Sequence, residues 1–416
     1  MQTLHPLRNI CQKCVLRRLI LFCAILLSGG NLAIPRLPIA IFALLLGVAF
    51  FSFLSMRVDK RKMPAYIWFL LVISFSFLRI QEVDIFSNFT RIINFIIGFL
   101  LLKIYCEESR LVLLRDLRVL ILPLSYLGVA TFLLGHLAPS LFFTFESNQQ
   151  RMYSFLYIFN YVTLNADSQL RPIAIFWEPG VFQIYLNILL FALFSQRENT
   201  IFIAVTTVAI LITHSTMGIL IAAIQISYFT IIPILRRSTN FKKIALFLVV
   251  IAALPAIFQF VEQNFTEKFS GALSGSSAAR IFDLNIAIMI LSDHPILGIG
   301  FNDNSYLNYA GSTSADTSML SLQDTNGRFN TNGVMVVLYS LGIPMGIFLI
   351  GSFFFQIFFD HKILFGMIIL LMLSSSPLAF NPFFLLFAFS GMMAPSRRKY
   401  RTENRILKRE TMSSQI

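Results

Sequence analysis

The stretch GVMVVLYSLGIPMGIFLIGSFFFQIFF, residues 333–359, runs for twenty-seven residues without a single charge. A helix needs roughly 20 apolar residues to cross the hydrocarbon core of a bilayer. The run is long enough for that, and it is apolar on every side, unlike the one-faced helix of a soluble domain. The rest of the 416-residue chain is alike, with 56% hydrophobic residues, 13% charged residues and 45 Phe. A soluble protein carries roughly 25% charged residues, so a soluble enzyme or a secreted disulfide scaffold is excluded.

Working outward, similar runs fall at about 19–34, 37–55, 64–80, 92–105, 119–136, 173–194, 200–213, 215–235, 244–261, 333–359, 363–376 and 378–394. The reading is an all-α polytopic membrane protein with about 12 transmembrane helices, a single integral membrane domain over 1–416. If the N-terminus lies inside, the inner segments and the basic tail at 396–416 hold 25 of the 33 Lys and Arg, and the outer segments hold 8. That asymmetry follows the positive-inside rule and predicts two cytoplasmic termini. The net charge of +13 therefore reports orientation, and no nucleic-acid partner is expected. The first run lacks a small-residue cleavage site and reads as an uncleaved span. Cys11 and Cys14 form a lone CxxC with no second pair or His cluster, so no metal site is expected.

Two outer loops are long enough to house a site, 137–172 and 262–332. The second has Ser/Gly/Asn/Asp-rich stretches at 270–277 and 302–332 flanking a short amphipathic helix. Arg280, Asp283 and Ala287 share one face of it and Ile281, Leu284 and Ile288 another, with Ser276 or Ser277 as a candidate N-cap. Such a helix would lie on the membrane surface or on the bundle.

The first loop leaves through Arg171-Pro-Ile-Ala-Ile-Phe-Trp-Glu-Pro-Gly180 into an apolar run. Read as one helix starting near Pro172, this places Glu178 inside the span, on the face of Arg171 and roughly 10 Å deeper. A carboxylate there costs roughly 2.5–3.5 kcal/mol unless it meets a wet cavity or a partner. It is either a functional group or the counter-ion of an arginine. The outer loops favour Arg over Lys, with Arg151, Arg171, Arg280 and Arg328 against Lys268. A guanidinium offers a planar fork of donors to phosphate or carboxylate oxygens. The arginines suit an anionic ligand, or local ion pairs with Glu146, Asp167, Asp283 or Asp324. Gly298 and Gly300 in Asp293-His-Pro-Ile-Leu-Gly-Ile-Gly-Phe-Asn302 are a weak phosphate-loop signal, and His294 and His214 both suit turns.

Trp177-Glu-Pro-Gly180 after Arg171, Arg280 leading into His294-Pro-Ile-Leu-Gly-Ile-Gly-Phe301, and Asn332 followed by Leu338 and Gly342 resemble the O-antigen polymerase (Wzy-type) and O-antigen ligase superfamily of bacterial inner-membrane proteins. The resemblance covers roughly 171–350 in motif. It implies a GT-C-type bundle, multi-pass in the inner membrane, that takes a glycan from an undecaprenyl pyrophosphate carrier at the periplasmic face. The expected activity is polymerisation of lipid-linked repeat units into O-antigen, capsule or exopolysaccharide. Ligases of the superfamily carry a His-Asn pair before the tenth span, where this chain has Thr331-Asn332, which favours a polymerase.

On that reading Arg280 and Arg171 stabilise the departing pyrophosphate without a metal or cofactor, and Glu178 is the acceptor-side base, with Asp293 and His294 behind it. Arg328, Arg151, Trp177, Asn332 and His294 contact substrate. Tyr153, Tyr157 and Tyr161 suit sugar stacking or an interfacial aromatic belt. The partners are the lipid-linked oligosaccharide, membrane lipids and, for a polymerase, a chain-length regulator. A twelve-span transporter matches the count, but it should show two related halves and a long central inner loop. A flippase remains a further alternative.

Overall fold

A computed structural model describes residues 5–27, 62–78, 85–108, 110–147, 150–163, 169–237, 274–301, 303–312 and 330–393, with the single positions 29, 45 and 47. The helices run in the order α1 (His5–Leu26), α2 (Met63–Leu78), α3 (Ile85–Glu107), α4 (Arg110–Leu137), α5 (Pro179–Gln196), α6 (Thr200–Ile212), α7 (Thr216–Ile226) and α8 (Ile232–Arg237). A π-helical turn at Ser227–Ile231 joins the last two. Then come α9 (Ser274–Asp293), α10 (Asp303–Ser312), α11 (Gly333–Ser352), α12 (Lys362–Ser375) and α13 (Pro382–Gly391).

Five helical stretches are long and apolar enough to cross a membrane: Phe89–Cys106, Arg110–Leu137, Pro179–Gln196, Thr216–Ile234 and Gly333–Phe355. Shorter apolar helices lie at Met63–Ser74, Thr200–Ile212, Lys362–Ser375 and Pro382–Gly391. The chain is thus a mostly helical, polytopic membrane protein. Of the runs expected to span, 37–55 (save 45 and 47) and 244–261 lie outside the described residues.

α5 is the central post, buried on all sides from Val181 to Leu193, as a helix apolar all round should be. It packs on α4, α6 and α7. Much of the Phe content fills the joints around it. Phe191 stands edge-on to Phe359 and Phe365 with centroids 5.1 and 5.3 Å away, and Phe99 stacks on Phe389 at 4.0 Å to close α3 on α13. Polar clamps fix the register. Buried Asp116 on α4 accepts from Nε of Arg17 at 2.6 Å, Nε of Arg18 at 2.8 Å and the Tyr105 hydroxyl at 3.1 Å. Asn187 donates to the Gly218 carbonyl at 3.1 Å, and Gln225 donates to Asn187 Oδ1 at 3.1 Å, tying α5 to α7 inside the bundle.

The first long loop adds a small sheet to the helical fold. It folds as a four-stranded antiparallel meander of β1 (Phe143–Ser147), β2 (Gln150–Phe155), β3 (Phe159–Thr163) and β4 (Leu170–Pro172). Its strands carry aromatic and β-branched side chains, which suit a pleated, half-buried surface. Tyr153 and Tyr161 stack across β2 and β3 at 4.6 Å. Phe142, Tyr161 and Leu170 form a small core with Phe132 and Leu134 from the end of α4.

α11 is broken in mid-course, where Gly342 takes φ 76° ahead of Pro344. The carbonyls released there are not left bare. The backbone N–H of Ile299 donates to the Tyr339 carbonyl at 2.7 Å and that of Gly300 to the Ser340 carbonyl at 3.0 Å, while Ile343 N–H donates to the Pro295 carbonyl at 2.8 Å. Gly298, at φ 63°, permits this approach, since a Cβ there would stand 2.2 Å from the Tyr339 oxygen. The two glycines thus serve backbone docking, and the phosphate-loop reading of 298–300 gives way to it.

Candidate functional site

Glu178 does not sit within a helix. It is the N-cap of α5, extended at φ −148° and ψ 155°, with Pro179 at the first helical position. This corrects the expected start of the span at 173 and the shared helical face with Arg171. A proline pushes the residue before it out of the helical region and itself suits the first turn, so the helix begins at Pro179. Arg171 lies on β4 instead.

The segment between them is fixed by backbone bonds. Asn160 Nδ2 donates to the Ala174 carbonyl at 2.8 Å, and Ala174 is held at φ 49°. The N–H of Phe176 donates to Ile173 and that of Trp177 to the Gly29 carbonyl, both near 3 Å. Phe176 stacks on Tyr185 of α5 at 4.9 Å. Arg171 Nε donates to the Thr213 carbonyl at 2.8 Å, in the turn where His214 takes φ 49°. The sheet, the α6–α7 turn and the mouth of α5 are thereby one unit.

Glu178 makes no capping hydrogen bond; its Oε1 folds back to 3.2 Å from the place a Cβ on Gly180 would occupy. Its carboxyl keeps part of its surface open yet lies deep among protein atoms. Burial pushes its pKa up to about 7, against the opposing pull of Arg171 and Arg280. Burial likewise lowers the Arg171 pKa, offset by Glu178. The structure therefore brings Glu178, Arg171 and Arg280 into one electrostatic neighbourhood, although they come from three segments. A carboxyl poised near neutrality beside two guanidiniums can take a proton and favour an anion at the same place.

Arg280 is exposed on α9, and what aims that helix is Asp283, one turn on. The buried Asp283 carboxylate accepts from the Tyr306 hydroxyl at 3.1 Å and from the Thr331 N–H and hydroxyl at 2.9 and 2.7 Å. Asn330 Nδ2 donates to the Asp283 carbonyl at 2.8 Å. The sequence places Asp283 on one helix face with Arg280 and Ala287 and offers it as an ion-pair partner, but not as the group that anchors the helix. The available signal was an aspartate at helical spacing from Ile286 and Ala287, which are buried with it. The opposite face, with Ile281, Leu284 and Ile288, is exposed, and the helix starts at Ser274, so Ser276 and Ser277 lie inside it.

The other expected contact residues are dispersed. Asn332 caps α11, accepting from the N–H groups of Val334 and Met335. His294 follows α9 and faces Tyr309 edge-on at 6.4 Å, while Tyr309 donates to Asp293 at 2.9 Å. Arg151 is exposed on β2, over the Tyr153 ring at 5.6 Å. Trp177 packs against Gly29. Arg328 lies outside the described residues. Among the described residues no group of three or more His, Cys, Asp or Glu is placed to hold a metal. A cavity at the far end of α5 shares no residue with this neighbourhood.

No curated protein matches the chain. A family model described as O-antigen ligase matches residues 201–350, a stretch that holds Arg280, Asp283, the docked 295–300 segment and the broken helix. Over those residues, somewhat more than a third of the chain, this polytopic helical protein is similar to the O-antigen ligases.

Proposed function

We propose that the protein is a glycosyltransferase that joins lipid-linked oligosaccharide repeat units at the periplasmic face of the bacterial inner membrane. In the reaction the bond from the sugar's anomeric carbon to the carrier's pyrophosphate oxygen breaks, and a bond to the acceptor hydroxyl oxygen forms. Glu178 receives the acceptor's proton, and the lipid pyrophosphate leaves with its charge stabilised by Arg171 and Arg280. The observation that carries the reading is the carboxyl at the mouth of α5, held near neutrality with two guanidiniums acting on it. Membrane lipids flank the bundle, and a chain-length regulator is a natural partner of a polymerase.

A ligase is the second reading, supported by the description of the matching family. Polymerase is preferred because the position before α11 holds Thr331, whose hydroxyl is committed to Asp283, with Asn332 engaged as a cap. Purified protein incubated with lipid-linked repeat units decides between them. Stepwise lengthening supports the polymerase, transfer only to a different lipid acceptor supports the ligase, and the absence of any new glycosidic bond refutes both.

A further inference from the structure

The end of α5 opposite Glu178 opens into a cavity of about 620 Å³. The 18 residues of α5 separate the two by roughly 27 Å at 1.5 Å per residue, so the cavity lies near the other membrane face. Its walls come from the start of α4, the end of α5 and the segment before α12. Four arginines line it, Arg110, Arg115, Arg118 and Arg197, together with Glu198 and Asp360. Two of these cations are already paired, Arg110 with Asp360 and Arg118 with Glu198. Among the described residues no carboxylate lies within 4 Å of Arg115 or Arg197, so the lining carries an excess of two positive charges.

Arg197 ends α5 in the left-handed conformation, φ 54° and ψ 43°, where glycine is the usual occupant. Of the remaining lining, Leu111, Leu114, Phe358 and Phe359 are apolar and Gln196 is polar, and Leu111 is exposed.

A site with two uncommitted guanidiniums beside an apolar wall fits an amphiphile with an anionic head. The C-terminal pole of α5 disfavours an anion by about half a charge and the N-terminal pole of α4 compensates, leaving the arginines to decide. We propose that this cavity binds the phosphate headgroup of an anionic phospholipid, with Arg115 and Arg197 on the phosphate and an acyl chain along Leu111. Basic pockets between spanning helices at the membrane face recognise lipid headgroups on this principle. The assignment is independent of the glycan-transfer reading, because it is tested by binding alone.

The full-length protein, delipidated in neutral detergent, is titrated with phosphatidylglycerol, phosphatidylcholine or inorganic phosphate, with bound adducts read by native mass spectrometry and melting by thermal shift. Phosphatidylglycerol is expected to be retained and to raise the melting temperature, phosphatidylcholine to do neither, and millimolar phosphate to leave the bound lipid in place. Arg115→Gln with Arg197→Gln should weaken retention about tenfold or more, since each basic residue near the phosphate contributes about 1 kcal/mol. The Lys double variant, which keeps both charges, should retain most of it. Equal retention of the two lipids by the wild-type protein overturns the proposal, whatever the variants do. So does wild-type retention in the folded Gln double variant. Displacement of the lipid by low-millimolar phosphate assigns the site to a soluble phosphate compound and overturns the lipid.

Discussion

Replacing Glu178 by Gln should make the protein more stable and less active, by amounts that both grow as pH rises. The folded carboxyl keeps its proton up to about pH 7, whereas its ordinary value is 4.5. Between those pH values the folded state binds more protons than the unfolded one, so stability falls as pH rises and levels off above 7. At 1.36 kcal/mol per unit, the charged carboxylate destabilises the fold by about 3 kcal/mol at pH 8.5, with both guanidiniums already counted. Gln resembles the protonated form and escapes that cost. In thermal-shift assays in detergent, the variant should melt with the wild type near pH 5 and several degrees above it at pH 8.5. Turnover on lipid-linked repeat units should rise through about pH 7 in the wild type, where the base loses its proton, and fall roughly 10²-fold or more in the variant. A variant that melts below the wild type at pH 8.5 would show that Glu178 is the counter-ion of Arg171. A stabilised variant with wild-type turnover would remove Glu178 from the reaction and move the search to Asp293 and His294.

Arg280→Ala should abolish lengthening and Arg280→Lys restore only part of it, because an ammonium lacks the bidentate fork; normal activity in folded Arg280→Ala protein takes the residue out of the site. Because Arg280 pulls the Glu178 pKa down, any residual activity in the Ala variant should rise at higher pH than in the wild type, as a pH–rate profile would reveal. Gly298→Ala should cost about 3 kcal/mol or more, since the new Cβ meets the Tyr339 carbonyl. Gly300→Ala, with open space around it at φ 73°, should cost only about 1–2 kcal/mol; equal melting temperatures for the pair would contradict the docking role of Gly298. Cysteines introduced at Gly311 and Ser396 should react with impermeant thiol reagents from the periplasm and the cytoplasm respectively, and a cytoplasmic Gly311 would invert the topology.

The apolar runs were legible because a bilayer imposes length and uniform apolarity on the sequence itself. Their limits were less so. Pro179 has two meanings, a helix opener or a kink, and only the extended Glu178 before it decides between them. The sheet was hidden because its strands are of three to six residues, short enough for aromatic alternation to pass as loop. Arg171, Glu178 and Arg280 could be picked out by chemistry, since charge in apolar surroundings stands out. Asp283 could not, because its partners Tyr306 and Thr331 lie 23 and 48 residues away and no spacing rule links them.

The break in α11 has a consequence for how the chain is made. A span interrupted at Gly342 enters the lipid with backbone carbonyls that hydrocarbon cannot satisfy, and the groups that satisfy them belong to Pro295–Gly300, which is synthesised about forty residues earlier. That segment is therefore already made when the broken span of α11 is completed. Until the two meet, the last three helices have no finished surface to assemble on. The earlier segment thus acts as an internal template for a later span of the same chain.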